Sequence, residues 1–456
     1  MLQKQESPAE AATAPGAIPL VGHALRLLRP WSLLHSLPAQ GDLVRLYIGR
    51  LPVYVVCSPK LVQEVLVHDS DYDRGGAVFD QVRTVMGNGL ITCGHDRHRR
   101  SRQLVQPVFS RSRLPRYAEL MVEHSTPVIE SWRDGQVLDA RAAMHTIIRR
   151  VSIATLFSSR INAEQFERLQ QDIGTIAAGW LRRLITPRPL RRLTGGRQWA
   201  SASKRVHEAI DDSLRSAGAT GCPVTGATAD VPEVLLAARD ADGGGFSHEE
   251  IHDELISMFL AAVESSSTVL SWTLDLLAHH PEVQDRAAEE VRRVVGEREM
   301  GWPDVDQLPY LKQIVHESLR LHPPTWLLTR ITTRETVLGG HPLPAGVNIA
   351  YSAYLLGRDP AVFADPDRFD PDRWTGAAPP RGSFVPWGGG SRLCIGNTVS
   401  LAEIVIVLAE IVRSWRWEPV RRRPATARVS MLHVPKSVRV KLRSRKEAVA
   451  TTGEVR

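Results

Sequence analysis

Cys394 ends the run Trp387-Gly388-Gly389-Gly390-Ser391-Arg392-Leu393-Cys394, and Ile395-Gly396 then leads into an apolar segment of helical character. Few folds can use such a run. Three successive glycines, with a fourth just past the cysteine, let the backbone take tight or left-handed conformations close to a flat partner. A helix beginning after Cys394 directs its positive end at the sulfur and favours the thiolate. A thiolate in a sheltered turn is a metal ligand, whereas a free cysteine in a glycine-rich loop is simply a small core residue. Other segments of the chain decide between the two.

Glu317-Ser318-Leu319-Arg320 lies in a stretch from Tyr310 to Leu321 that is entered by Pro309 and stopped by Pro323-Pro324. Residues three apart share a helix face, so the carboxylate and guanidinium can pair. Alone, the pattern reads as a surface ion pair. Further along stands Pro371-Asp372-Arg373-Trp374. Upstream, Ser247 and Glu250 form a Ser-x-x-Glu capping box, which predicts a helix from there to His279-His280-Pro281. Ile251, Leu255 and Phe259 recur at helical spacing, the stripe of a central helix packed in a core. Midway comes Ala261-Ala262-Val263-Glu264-Ser265-Ser266, an acid and alcohols in apolar surroundings.

Together and in this order, these segments resemble the cytochrome P450 family. The family's Phe-x-x-Gly-x-Arg-x-Cys-x-Gly pattern is met at Gly390, Arg392, Cys394 and Gly396, with Trp387 in the Phe position. The resemblance implies that Cys394 is the axial ligand of haem b, and that the Trp387 ring lies near the sulfur, where an N–H could tune the iron. It implies that Glu317, Arg320 and Arg373 form a buried triad fixing the haem-binding core, since paired charges are the tolerable way to bury charge.

The 261–266 segment resembles the family's Ala-Gly-x-Glu/Asp-Thr-Thr stretch. Reductive cleavage of dioxygen consumes two protons in a pocket otherwise kept dry, so a carboxylate must relay protons and a hydroxyl must orient water. The resemblance implies that Glu264 and Ser265 take these catalytic roles. Ser265 replaces the usual Thr and loses its β-branch, and Ala262 replaces the usual Gly, which bears on how far the helix opens. For the propionates, the resemblance supplies His98 and Arg102, four apart on one helix face, together with Arg330 and Arg392. Arg97, Arg99 and Arg100 read as a solvated basic face. By family position the substrate pocket draws on Phe79, Val82, Val85, Met86, Ala261, Ala262, Trp326, Leu328 and Met431. These are apolar or nearly so, and an uncharged pocket cannot repay the desolvation of an ion.

A chain of 456 residues with 43% hydrophobic composition can bury a large core, and no compositional break marks a second complete domain. The expectation is a mainly α protein of the P450 fold. One haem domain spans 15–443 between flexible tails at 1–14 and 444–456, with a small β region near the N-terminus. Leu43–Ile48 and Val53–Cys57 read as a hairpin, Glu335–Leu338 with Val347–Tyr351 as a second strand pair, and 216–230 as a loop. The start is polar and no apolar run has the length of a membrane span, so a cytoplasmic protein of bacterial type is expected, and a monomer. Cys57, Cys93 and Cys222 lack metal-ligand spacing.

The net charge is +7, from 57 basic and 50 acidic residues. No nucleic-acid motif accompanies it, so a basic patch beside Cys394 that docks an acidic ferredoxin, itself served by a ferredoxin reductase drawing on NAD(P)H, is the expected use. The basic segment from Lys436 to Lys446 is the rival user of that charge. The run Pro15-Gly16-Ala17-Ile18-Pro19-Leu20-Val21-Gly22-His23, the segment Trp326–Arg330 and Pro344-Ala345-Gly346 resemble actinobacterial members that oxidise cyclic terpenes. The reading is therefore a monooxygenase using O2 on an apolar small molecule, a cyclic terpene of secondary metabolism. The alternatives are a fatty-acid or polyketide hydroxylase, or a haem-thiolate peroxygenase or ligand-binding protein.

Overall fold

The computed structural model describes residues 10–157, 164–165, 167–168, 171–172, 175–176, 196–219, 229–428 and 432–445. Helix makes up 55% of it, so the chain is mainly α. The helices that frame the site are α1 (Gly76–Met86), α2 (His95–Val105), α3 (Leu114–Glu130), α4 (Ala140–Phe157), α5 (Gly196–Ala219), α6 (His248–His279), α7 (Pro309–Leu321) and α8 (Asn397–Ser414).

The central helix α6 starts where its sequence says. Ser247 Oγ accepts from the Glu250 N–H at 3.2 Å, and Glu250 Oε2 accepts from the Ser247 N–H at 2.8 Å. His280 leaves the helical conformation and Pro281 opens the next helix. Ile251, Leu255 and Phe259 are buried in the main core, where each full burial is worth about 1.5–3 kcal/mol. Around α6 pack α4, α5, α7 and α8. Contrary to the expectation that no run is long enough, α6 has the length and composition to cross a bilayer, but 67% of its most apolar window is buried inside the protein. A helix enclosed on nearly all sides is apolar because it is core.

The β region is not confined to the N-terminus. Two of the sheets are built from β1 (Ala12–Thr13), β2 (Leu43–Ile48), β3 (Leu51–Val56), β4 (Tyr72–Asp73), β5 (Leu328–Thr332), β6 (Thr336–Leu338), β7 (His341–Leu343) and β8 (Asn348–Tyr351). Six of them form one sheet in the order β1-β2-β3-β8-β5-β4. The β2–β3 hairpin forms with Leu43 opposite Val56 and Ile48 opposite Leu51, turning on Gly49-Arg50, so β3 begins two residues before the expected Val53.

The second expected pair is corrected. β8 lies between β3 (parallel) and β5 (antiparallel), while β6 pairs with β7. All four β8 residues are buried, as a central strand with neighbours on both sides requires, and Gly339-Gly340 supplies the two positive-φ positions that close the β6–β7 hairpin. The expected loop at 216–230 is corrected in part, since α5 runs to Ala219 and 220–228 lie outside the described residues.

Candidate functional site

The glycine run is shaped by close approach. Gly390 has φ +62°, and a Cβ there would stand 1.9 Å from the carbonyl oxygen of Leu66. A Cβ on Gly396 would meet the Phe109 ring at 3.2 Å. The Cys394 N–H donates to the Trp387 carbonyl at 2.9 Å, so the contact between these residues recorded here is through the backbone. α8 begins at Asn397, three residues after the cysteine.

Cys394 is exposed at its surface and yet closely surrounded by protein. Ala261 is likewise exposed although it sits midway along the enclosed helix α6. Burial pushes the Cys394 thiol up, against the Gly396 N–H and the cations Arg74 and Arg102, which pull it down. The helix and glycine contributions therefore do not ionise the sulfur by themselves. A thiolate here needs a metal ion facing it, because coordination deprotonates a thiol outright.

Beside this loop four guanidiniums and an imidazole converge. Arg392, 4% exposed, donates to the Cys93 carbonyl at 2.8 Å and to Asp73 Oδ1 at 2.8 Å, while its Nε makes no hydrogen bond. Arg102 donates to the Leu393 carbonyl at 2.8 Å, tying α2 to the cysteine loop. Arg330 projects from β5, is 3% exposed and donates to the Thr329 carbonyl at 2.9 Å. Arg74 donates to the carbonyls of Leu90 and Ile91 and leaves Nε unpartnered. Burial, then Arg330 and Arg392, lower its pKa to about 9. His98 is buried, and burial followed by Arg392, Arg74 and Arg102 lowers it to about 3, so it is neutral. Asp69 and Asp73 are the carboxylates nearby, with Asp69 3.8 Å from Arg392. Four guanidiniums and an imidazole against two carboxylates fit a ligand carrying two negative charges.

Residues 13–442 match the cytochrome P450 family. The chain belongs to this family. Cyclooctatin synthase of Streptomyces melanosporofaciens is 39% identical to it over 89% of the chain and 90% of that protein. Pentalenene oxygenase of Streptomyces avermitilis is 35% identical over 95% and 98%. Cyclooctat-9-en-7-ol 5-monooxygenase of Streptomyces melanosporofaciens is 34% identical over 91% of each. The chain is thus a P450 monooxygenase, and the family's cofactor is haem b on a cysteine thiolate.

In this P450 the triad residues come together. Arg320 grips Glu317 through Nε at 2.8 Å and its terminal nitrogen at 2.7 Å, and both side chains are fully buried. Arg373 Nε donates to Glu317 Oε1 at 3.0 Å. The Trp374 indole at 3.0 Å and the Asp370 N–H at 3.0 Å complete a five-donor shell on one carboxylate. Asp372 turns outward to Arg286.

Over the site, Ser265 Oγ donates to the Ala261 carbonyl at 2.7 Å, four residues back. α6 stays helical through Ala262, so no opening accompanies the alanine. Glu264 is half-buried on the same turn, and Ser266 Oγ lies 3.2 Å from Ser400 Oγ of α8. Arg97 and Arg100 are not simply solvated. Both pair with Glu250, at 2.9 and 3.1 Å, and Arg100 also binds Asp240 at 2.9 Å, which anchors α2 to the start of α6.

The expected pocket residues divide. Phe79, Val82, Val85 and Met86 lie on α1, Met86 packs on the main core, and its carbonyl accepts from Ser257 Oγ at 3.1 Å. Trp326 instead packs edge-on to Trp31 at 5.1 Å, in a separate outer cluster with Leu33 and Leu34. Leu328 packs against the cluster around β3 and β8. Met431 lies outside the described residues.

Three site residues escaped the sequence reading. Arg74, alone in Tyr72-Asp73-Arg74-Gly75, carries no periodic signal. Glu403, one turn past Ser400, is buried and pushed up to about 7 by that burial against a hydrogen bond from Ser266. His145 on α4 stands 3.9 Å from Glu264.

Proposed function

We propose that this P450 hydroxylates a cyclic terpene, with Cys394 as axial ligand and Arg74, His98, Arg102, Arg330 and Arg392 receiving the propionates. The observation that carries the site assignment is the buried cation cluster beside Cys394. Arg330 and Arg392 bear on Arg74, and Asp69 and Asp73 offset only part of the charge of the four guanidiniums, so a dianionic partner would stabilise the cluster; charge-assisted bonds to carboxylates are about twice as strong as neutral ones. Haem b held there supplies the reductive activation of dioxygen.

The chain's own residues then manage protons and water. Glu264 brings protons inward from its half-buried face. Ser265 Oγ, once it turns from the Ala261 carbonyl, orients the water that receives them. The apolar wall keeps other water out. An acidic ferredoxin is the proposed electron donor, and its docking on a basic face should weaken as salt rises. The residue ranges 15–443 for the haem domain and a cytoplasmic location belong to the same proposal.

The terpene assignment is supported by relatives whose names carry pentalenene and cyclooctat-9-en-7-ol, ring skeletons bearing at most a hydroxyl. An uncharged α1 wall of Phe79, Val82 and Met86 suits them. Titration of the purified protein with cyclic sesquiterpenes, diterpenes and fatty acids tests it. A saturable spin-state shift with a terpene is expected, and a shift with fatty acids alone would overturn the substrate class.

Ser265→Ala should divert electrons to peroxide. Positioned proton transfer is worth about 10²–10⁴-fold, so product per NADPH should fall about 10-fold or more while terpene binding holds. An unchanged yield would remove Ser265 from the relay.

A further inference from the structure

A proton relay built on Glu264 needs a route from solvent to its carboxylate, and α4 supplies a group at the right place. His145 Nε2 lies 3.9 Å from Glu264 Oε2 and 3.3 Å from Ser267 Oγ. The Ser267 hydroxyl already gives its proton to the Val263 carbonyl at 2.7 Å, so toward the imidazole it can only accept. That geometry assigns the proton to Nε2, aimed at the gap between Ser267 Oγ and the Glu264 carboxylate. Both side chains keep a fraction of their surface in contact with water, 19% for His145 and 26% for Glu264. Among the described residues no hydrogen bond to the other ring nitrogen, Nδ1, accompanies the one at Nε2, which leaves Nδ1 open to take a proton.

We propose that His145 is the positioning and proton-supplying residue for Glu264, taking a proton from hydronium at Nδ1 and, as the imidazolium so formed, passing its Nε2 proton to the carboxylate. The transfer balances: hydronium becomes water as an Nδ1–H bond forms, the Nε2–H bond breaks as one carboxyl O–H forms, and exchange with solvent returns the ring from the Nδ1–H to the Nε2–H tautomer. This rests on the reading of Glu264 as a proton relay.

The surroundings suit the task. Arg141 and Arg149 flank His145 at four residues on either side, on one face of α4. Arg149 is engaged by Glu167 at 3.0 Å, and the Nε of Arg141 is buried without a partner. Burial lowers the affinity of His145 for a second proton, Glu264 raises it, and the two arginines lower it again. Lowered from its ordinary value, the ring is neutral at neutral pH and yields quickly any proton it gains. α4 and α6 are among the most closely packed helices of the fold, so the two side chains face each other from rigid elements rather than loops.

Two measurements test this in the holoprotein. Nitrogen-15 NMR of histidine-labelled protein in its diamagnetic ferrous carbon monoxide form should find His145 protonated on Nε2, with a signal that moves in Glu264→Gln. An Nδ1-protonated ring, or a signal indifferent to Glu264→Gln, overturns the proposal. His145→Gln keeps an N–H donor near the Nε2 position but cannot carry a proton through. It should raise the peroxide share of electrons about 10-fold, in the range of positioned proton transfer, and enlarge the solvent deuterium isotope effect on product formation. Terpene affinity and the resting haem spectrum should stay as in the wild type, which separates relay from structural damage. If Glu264→Gln uncouples turnover and His145→Gln does not, His145 has no part in the relay. If Glu264→Gln itself leaves coupling intact, the relay reading fails and His145 with it.

Discussion

Glu317→Gln is expected to prevent the protein from accumulating as a folded haem protein. The carboxylate is fully buried and satisfies two guanidiniums, one indole and one backbone N–H. The amide that replaces it has one acceptor oxygen and no charge, so Arg320 and Arg373 lose their counter-ion while Arg320 stays buried at 0% side-chain exposure. Breaking a buried pair by removing one partner costs about 3–5 kcal/mol. A domain has only about 5–15 kcal/mol of stability to lose. Arg320 also donates to the carbonyls of Gly357, Pro366 and Arg368, so the damage spreads into the segment leading to Trp374 and on toward the cysteine loop. Thermal unfolding and haem content of the purified variant measure it. A Glu317→Gln protein with wild-type melting and full haem would show that the triad does not hold the core together.

Cys394→Ser is expected to have the opposite profile, with the fold intact and the chemistry gone. The substitution changes one atom of an exposed side chain, and the backbone bond from residue 394 to the Trp387 carbonyl does not use the side chain. The stability change should stay within about 1 kcal/mol. A hydroxyl is a far weaker donor than a thiolate and cannot push electron density onto the iron to favour O–O cleavage. Terpene hydroxylation should fall below detection, and the thiolate signature should disappear from the ferrous carbon monoxide spectrum. Residual hydroxylation near the wild-type rate would place the ligand elsewhere. The two variants together separate what fixes the core from what performs the reaction.

What could be read from the sequence was local. Ser247 and Glu250 are three apart and dictate their own geometry, so the start of α6 could be placed from the chain alone. Glu317 and Arg320 are also three apart, but burial of their pair, and the contributions of Trp374 and the Asp370 N–H, depend on a segment more than 50 positions away that only the fold brings back. The β8 strand shows the same limit. Its residues read as β-forming, yet its partners β3 and β5 lie on opposite sides of the chain's helical half, and sequence proximity favoured the wrong neighbour. Arg97 and Arg100 looked solvated because their acceptor, Glu250, belongs to another helix.

Arg74 was illegible for a different reason. One arginine beside an aspartate is ordinary, and its meaning comes from Arg330 and Arg392 arriving from two other parts of the chain. Trp326 shows a further limit, because its place in the family pattern says where its backbone runs, not that Trp31 offers its ring a partner.

The central claim is that Cys394 presents a thiolate to haem b in this P450. The ferrous carbon monoxide difference spectrum of the purified wild-type protein tests it most directly. The predicted result is the red-shifted Soret band that a thiolate ligand produces, at full haem occupancy and persisting when the terpene is bound. A band of the kind given by an imidazole-ligated haem, under conditions where the protein is folded, would contradict the account.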